Sequence, residues 1–232
     1  MERKCYRFLK RLFDILAGIF GLIITTPIWV IAIIGIEFSD PGPVFFGAKR
    51  IGKGNREFIM LKFRSMRVAK NEAEKSEASF KADVNRIFPF GEFCRRMKID
   101  ELPQLLNVIK GDMSVVGPRP AALDQAEIMR KGKYNIASTV KPGLTGTAAL
   151  FDYIYGDTVE DLADYEQLVL PTRLELEAYY PQHMSMRYDI KLIWYTVVCL
   201  VATLFRKKPQ RIYDELVGCV VVEKREFQEV SA

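Results

Sequence analysis

Residues Ile15 to Ile36 run for 22 positions without a single charged side chain. That length spans the hydrocarbon core of a bilayer as a helix. In lipid a lone segment must satisfy its own backbone, so it has to be helical. The run carries an interruption at Thr25-Thr26-Pro27, and a proline removes one ladder hydrogen bond and kinks a helix. Basic residues stand on both sides: Arg3, Lys4, Arg7, Lys10 and Arg11 before it, and Lys49, Arg50, Lys53, Arg56 and Lys62 after it. Basic flanks stay on the cytoplasmic side of a membrane. A straight span forces one flank outward. A helix that breaks at Thr26 and Pro27, entering and leaving by one face, satisfies both. The expectation is therefore a re-entrant membrane helix, with a straight span that tolerates its proline as the alternative. Met1 to Arg11 reads as a basic amphipathic lead-in on the membrane surface. The run is too long for a cleaved signal peptide and lacks its small-residue cleavage site.

Outside this run the chain has the makings of one main globular domain. It has 232 residues, nearly half hydrophobic, with a net charge of +5. That charge suits an anionic membrane surface or phosphate-bearing substrates as well as nucleic acid. Cys5, Cys94, Cys199 and Cys219 are scattered without disulfide or zinc spacing, as in a reducing compartment. The single histidine, His183, removes histidine-based triads and most histidine-ligated metal sites.

Two neighbouring acids, Asp100 and Glu101, stand in Lys98-Ile99-Asp100-Glu101-Leu102-Pro103-Gln104. Adjacent side chains point about 100° apart on a helix and to opposite faces of a strand. They meet one ligand only at a turn or a helix start. Pro103 is tolerated in a first helical turn, and Gln104 to Ile109 can be helical up to a stop at Lys110-Gly111. Asp100 then lies at or just before a helix N-terminus, where an ionised carboxylate and a bound phosphate are both favoured. The same position equally suits a plain N-cap.

The remaining segments supply cations and short elements. After the turn Ser39-Asp40-Pro41-Gly42-Pro43, Val44-Phe45-Phe46 and Phe58-Ile59-Met60-Leu61 read as a β-hairpin. Lys62, Arg64 and Arg67 follow it as an edge able to contact an anion. Val68 to Val84 reads as an exposed helix or mobile loop. Arg95 and Arg96 precede the acid pair. Arg119, between Pro118 and Pro120, is presented with little backbone freedom and suits bidentate phosphate recognition. Ala121 to Met129 reads as a helix, Lys141 to Thr147 as a glycine-rich loop, and Val159 to Tyr180 as a helix broken at Pro171. Leu192 to Phe205 is apolar but short for a span, and reads either as an interfacial helix or as a core helix. The predicted class is α/β and helix-rich, with a small, partly antiparallel sheet, an N-terminal re-entrant membrane helix and interfacial helices. The divisions are 1–38 as anchor, 39–208 as catalytic domain and 209–232 as tail.

A membrane-dipping segment, an acid pair and fixed cations suit phosphoryl chemistry, in which positioning and electrostatics dominate. A carboxylate can act as covalent nucleophile, and carboxylates with diphosphate oxygens suit magnesium. In its ordered motifs the chain resembles the bacterial sugar transferase family, small monotopic phosphoglycosyl transferases acting on polyprenyl phosphate. The carriers are Lys10-Arg11-Leu12-Phe13-Asp14, Ser39 to Phe46, Lys62 to Met66, Asp100 to Gln104, Lys110 to Ser114, Gly117 to Pro120 and Lys141 to Gly146. Thr147-Ala148-Ala149 departs from the Trp-Ala-Gln of many members.

The resemblance implies a helix break at Thr26 and Pro27, and an Asp-Glu dyad at Asp100 and Glu101 that also holds Mg2+. It implies attack by Asp100 on the β-phosphorus of a UDP-sugar, release of UMP, and transfer of the phosphosugar to undecaprenyl phosphate. Lys62, Arg64, Arg95 and Arg119 are the expected phosphate contacts. The expected setting is the bacterial inner membrane, with catalysis on its cytoplasmic face and no nucleic-acid partner; the sequence sets no oligomeric state. Two other readings fit the same residues: a membrane-bound phosphatase or pyrophosphatase, and a non-enzymatic adaptor that binds anionic lipid.

Overall fold

The computed structural model describes residues 2–68, 86–123, 125–155, 159, 161–205, 207 and 209–219. The stretch expected to be exposed or mobile, Val68 to Val84, lies outside the described residues beyond Val68, as does the tail after residue 219. The chain forms two units. One comprises Met1–Val115 with Ala121–Gln125; the other comprises Val116–Pro120 with Ala126–Ala232.

The first unit opens with α1, Glu2–Ser39, 38 residues and about 57 Å long at 1.5 Å per residue. Among the described residues it is the one helix long and apolar enough to cross a membrane. It is continuous through Pro27. Three successive residues nevertheless alter the same turn. Pro27 has no N–H for the carbonyl one turn back, Thr25 Oγ1 donates to Gly21 O (2.7 Å), and Thr26 Oγ1 donates to Leu22 O (2.8 Å). Both devices bend helices. Leu16, Phe20, Ile23, Ile24 and Ile31 are exposed on α1. Ala32 and Ile36 point the other way and are buried with Phe63 and Phe88. The residues expected as a separate anchor thus share a core with the residues after them.

That core lies under a hairpin. β1 (Phe45–Ile51) pairs antiparallel with β2 (Glu57–Phe63), with Phe45 opposite Phe63. Trp29 packs edge-on against Phe63, centroids 5.0 Å apart, and Phe45 stacks on it at 5.3 Å. Full burial of Phe63 contributes about 1.5–3 kcal/mol, while Phe45 stays half exposed. The hairpin agrees with the sequence reading. Two short helices follow, α2 (Pro89–Arg96) and α3 (Gln104–Lys110). α3 ends as expected at Gly111, whose φ of 102° lies in the left-handed region that glycine adopts freely. β3 (Ser114–Val116) then leads out of the unit, and β4 (Ala121–Ala122) returns to pair with Arg50 and Ile51, giving the order β2-β1-β4. The helix expected over Ala121 to Met129 is therefore corrected: Ala121 and Ala122 are buried in the sheet, and α4 covers only Ala126–Met129.

The second unit continues with a 3-10 helix, Gly132–Thr139, then β5 (Gly143–Thr145), α5 (Thr147–Ile154) and α6 (Leu162–Asp164). A π-turn, Tyr165–Val169, runs into α7 (Leu170–His183), and α8 spans Met186–Leu204. Helical backbone runs on from α6 through the π-turn into α7, so Pro171 stands inside a longer helix, and the break expected there is a π irregularity just before the proline. α8 combines the two readings of its sequence. Asp189, Leu192 and Cys199 are buried, whereas Ile190, Trp194, Val197 and Val201 form an exposed apolar stripe at helical spacing. Residues 210–219 are also helical.

Candidate active site

The acid pair is positioned by a tight local route. α2 ends with Arg95 and Arg96 in its last turn, and Met97 caps it. Lys98 then takes φ 54°, a left-handed conformation unusual for a side chain with a Cβ. This reverses the chain into a 3-10 turn, Ile99–Glu101, which carries both acids. α3 begins four residues after Asp100, with Pro103 as its N-cap and no side-chain capping bond. The 3-10 turn is capped by Lys98, again without a side-chain capping bond. Asp100 therefore caps neither helix, which removes the plain N-cap as its role.

Asp100 is buried, at 4% relative exposure, and its Oδ1 lies wholly inside the protein without a hydrogen-bond partner. Burial pushes its carboxyl above the usual range; the charge of Lys62 pulls it back, Glu101 pushes it up further, and Arg95 and Lys98 pull it down. Lys62 Nζ donates to Glu101 Oε1 at 3.3 Å. Cys94, fully buried on α2, has its thiol raised to about 11, first by burial and then by the charge of Asp100. The first unit thus gathers Lys62, Arg95, Asp100 and Glu101, four of the residues singled out in the sequence, and adds Lys98. A buried carboxylate oxygen without a partner costs stability of about 1–3 kcal/mol, and such groups concentrate where chemistry needs them.

Asn107 fixes the lysine's strand to this turn. Its Oδ1 accepts from Leu61 N (2.9 Å) and its Nδ2 donates to Ile59 O (2.8 Å), so α3 grips β2 just before Lys62. Arg64 behaves differently from the other cations. Its Nε donates to Pro43 O at 2.5 Å, Nη1 and Nη2 reach Asp40 Oδ2 and Asp40 O, and its guanidinium lies over Phe88. Every nitrogen of the Arg64 fork is committed to the turn after α1. It closes that turn through the carboxylate and carbonyl of Asp40.

Arg119 belongs to the second unit. Its side chain is 40% exposed, with Nη1 4.0 Å from Asp152 Oδ2, while its carbonyl accepts from Arg130 Nη2 (2.8 Å). Behind it lies a buried polar network that the sequence did not disclose. Arg173 Nε is 3.2 Å from Asp152 Oδ2, Arg173 Nη1 donates to Tyr165 OH (2.6 Å), and Arg130 Nη1 donates to Glu177 Oε2 (2.9 Å). Gly117 N donates to Thr145 O (2.9 Å) and Gly143 N to Pro118 O (2.8 Å), so the Gly117–Pro120 and Lys141–Gly146 loops are bonded together. A Cβ on Gly146 would stand 2.1 Å from Gly117 O, which explains that glycine by close approach of two backbones.

Magnesium takes one or two carboxylates and completes its octahedron with water and substrate phosphate. Asp100, with its bare buried oxygen, and Glu101 beside it fit that demand. Among the described residues no three histidine, cysteine, aspartate or glutamate side chains cluster as an all-protein metal cage.

A profile of the bacterial sugar transferase family matches residues 5–203. The chain is 38% identical over 191 residues to the UDP-glucose:undecaprenyl-phosphate glucose-1-phosphate transferase of Xanthomonas campestris pv. campestris, covering 82% of this chain and 38% of that protein. It is 35% identical over 196 residues to the UDP-N-acetylgalactosamine-undecaprenyl-phosphate N-acetylgalactosaminephosphotransferase of Aeromonas hydrophila, covering 83% and 43%. It is 32% identical over 207 residues to the exopolysaccharide production protein ExoY of Sinorhizobium fredii, covering 82% and 85%. The chain thus spans about two-fifths of the first two relatives and most of the third. With a match over most of its length and the acid pair, the lysine strand and the paired loops in place, the chain belongs to the bacterial sugar transferase family.

Proposed function

We propose that this protein transfers a phosphosugar from a UDP-sugar to polyprenyl phosphate, through a covalent intermediate on Asp100. A carboxylate oxygen of Asp100 attacks the β-phosphorus. The bond from that phosphorus to the bridging oxygen breaks, and UMP leaves with the oxygen and its electron pair. A phosphate oxygen of the polyprenyl acceptor then attacks the same phosphorus, and Asp100 departs as carboxylate. The observation that carries this reading is the buried, unpartnered Oδ1 of Asp100 at a turn it does not cap. Lys62 and Arg95 offset charge on the phosphate oxygens, and Glu101 keeps Lys62 in place. Magnesium bound by Asp100 and Glu101 supplies charge neutralisation when present. Arg119, stiffened by its two prolines and steadied at its carbonyl by Arg130, suits a phosphate contact. The names of the relatives supply the donor class, a UDP-hexose, and the acceptor, undecaprenyl phosphate.

The setting is the cytoplasmic face of a bacterial inner membrane, with α1 as a re-entrant helix. Both ends of its apolar run dock on the first unit: Asp14 on Ser114 and Val115, and Ile36 in the core with Phe63. Attachment of both ends to one folded body supports a segment that leaves the bilayer on the face it entered. Labelling of native Cys5 and of a Glu37→Cys variant from the same side of sealed vesicles supports this, and labelling from opposite sides overturns it.

The transferase reading is tested by UMP release from nanodisc-held protein with magnesium, undecaprenyl phosphate and a panel of UDP-sugars, beside Asp100→Asn. Release dependent on acceptor and lost in the variant is expected. Continuous release without acceptor identifies a hydrolase.

A further inference from the structure

α1 does more than seat the protein in lipid. Near its basic end Arg11 reaches the far end of α3, where Nη1 donates to Val108 O (2.7 Å) and Nη2 to Ile109 O (2.6 Å). These carbonyls lie in the last turn of a helix, where no intrahelical N–H remains for them, and the guanidinium stands at the negative end of the helix dipole. One turn further along α1, Asp14 is 2% exposed and its Oδ1 accepts from Ser114 Oγ and Val115 N, both at 2.9 Å. A Cβ on Gly18 would meet Ile109 Cγ1 at 2.7 Å, so α1 and α3 touch closely here. The grip therefore holds both the end of α3 and the strand that leaves it.

α3 has seven residues, which is about 10 Å. At its other end is the turn that carries Asp100 and Glu101, and its side chain Asn107 holds β2 on either side of Met60, just before Lys62. Hydrogen bonds joined by one- or two-residue stretches of backbone thus link the start of the apolar segment to the dyad and its lysine. A carboxylate buried at the mouth of a membrane segment is costly and calls for a function.

We propose that Arg11 and Asp14 are positioning residues for phosphosugar transfer: they clamp α3 to the membrane helix and so fix Asp100, Glu101 and Lys62 relative to it. This rests on the transferase reading for its chemistry, while the clamp itself can be read without turnover. Cys94 is the reporter. It is fully buried beside Asp100, and its reaction with a maleimide measures opening of the dyad turn.

The test uses the full chain in nanodiscs and the variants Arg11→Ala, Arg11→Lys, Asp14→Ala and Asp14→Asn, all normalised to folded, membrane-bound protein. Site-resolved mass spectrometry follows labelling of Cys94, and UMP release is measured with the UDP-sugar the wild type accepts. Asparagine keeps an oxygen that accepts from Ser114 and Val115; alanine does not. Loss of a charged hydrogen bond corresponds to about tenfold or more. Accordingly, Arg11→Ala and Asp14→Ala are expected to label Cys94 about tenfold faster and to lose about tenfold in kcat, with donor KM within about twofold. Asp14→Asn is expected to stay within about threefold of wild type in both, because its acceptor oxygen is retained. Arg11→Lys, with one ammonium for two carbonyls, falls between.

Wild-type labelling and wild-type kcat in both alanine variants overturn the proposal. So does an Asp14→Asn variant as impaired as Asp14→Ala. If Asp14→Ala does not insert, Ser114→Ala decides, since it removes one of the two donors and leaves α1 unchanged; unaltered Cys94 labelling there also overturns the clamp. A wild type that labels as expected but releases no UMP retires the transferase reading and leaves the clamp standing.

Discussion

Asp100 shows how an ordinary residue type acquires an unusual state. Nothing in its composition differs from that of any surface aspartate; its burial, its bare Oδ1 and the opposed charges of Lys62 and Glu101 set it apart. The native carboxyl holds its proton more tightly than the unfolded chain does. Stability therefore falls as pH rises from the ordinary 3.8 through the raised native value, and the cost is present in full above it. Asp100→Asn is expected to raise the thermal midpoint at pH 8 while abolishing UMP release, measured on the same preparation. On the proposed reading Asp100 attacks as its carboxylate, so the acid limb of kcat/KM is expected above pH 3.8. Lys62→Ala removes the largest downward influence and moves that limb to higher pH; Glu101→Gln removes an upward one and moves it to lower pH. A limb unmoved by either change separates the limb from Asp100. Arg64 makes the opposite point. Its motif neighbours are functional candidates, yet its fork closes the Asp40–Pro43 turn. Breaking a buried charge pair of this kind costs about 3 kcal/mol or more. Arg64→Ala is expected to lower the unfolding midpoint and leave the donor KM of the remaining folded protein unchanged.

At the level of elements, α1 is two surfaces wound on one helix. Its exposed side is apolar, and its other side is a stripe in which Arg11, Asp14, Gly18, Ala32 and Ile36 meet the first unit. Small residues let helices approach closely in such settings. Gly35 faces Phe90, whose ring would lie 2.3 Å from an added Cβ. Gly35→Val is expected to destabilise by about 1–3 kcal/mol through overpacking, read by thermal unfolding, whereas Ile34→Val on the exposed side stays near wild type. In the sequence this stripe is two polar residues just before the apolar run and small residues at helical spacing within it. The absence of charge over Ile15 to Ile36 is the stronger signal and masks it. The hairpin and the end of α3 at Gly111 follow local rules. The strand at Ala121 and Ala122 does not, because Ala122 pairs with Arg50 and Ala121 with Ile51, 72 and 70 residues away.

At the level of the whole molecule, a net charge of +5 and an apolar α1 act on membranes by different physics. Charge attraction is screened within about 3 Å at molar salt; apolar burial is not. Washing membranes with 1 M salt is therefore expected to leave the protein in the pellet, with release only by detergent. Elution by salt would assign attachment to the basic lead-in alone. Each unit carries its own polar chemistry: the acid dyad in one, and in the other the buried Asp152–Arg173 and Arg130–Glu177 pairs behind Arg119. Arg119→Lys keeps the charge and loses the planar fork, and is expected to raise donor KM more than it lowers kcat.

The sequence by itself determined what depends on near neighbours: an uncharged helix with a flawed centre, a hairpin, a helix stopped by glycine, and two acids confined to a turn. Those outcomes follow from backbone geometry and side-chain patterning over a few residues. Only the tertiary structure decided which polar groups are buried, which are partnered and which are left bare. Arg11 finds its carbonyls 97 and 98 residues away, Asp14 finds Ser114 at a separation of 100, and Asn107 finds β2 across 46 to 48. The cost of burying a charge is set by whatever the fold brings around it. That is why Asp100 is a nucleophile candidate and Arg64 a structural tie, although both stand in motifs of equal weight.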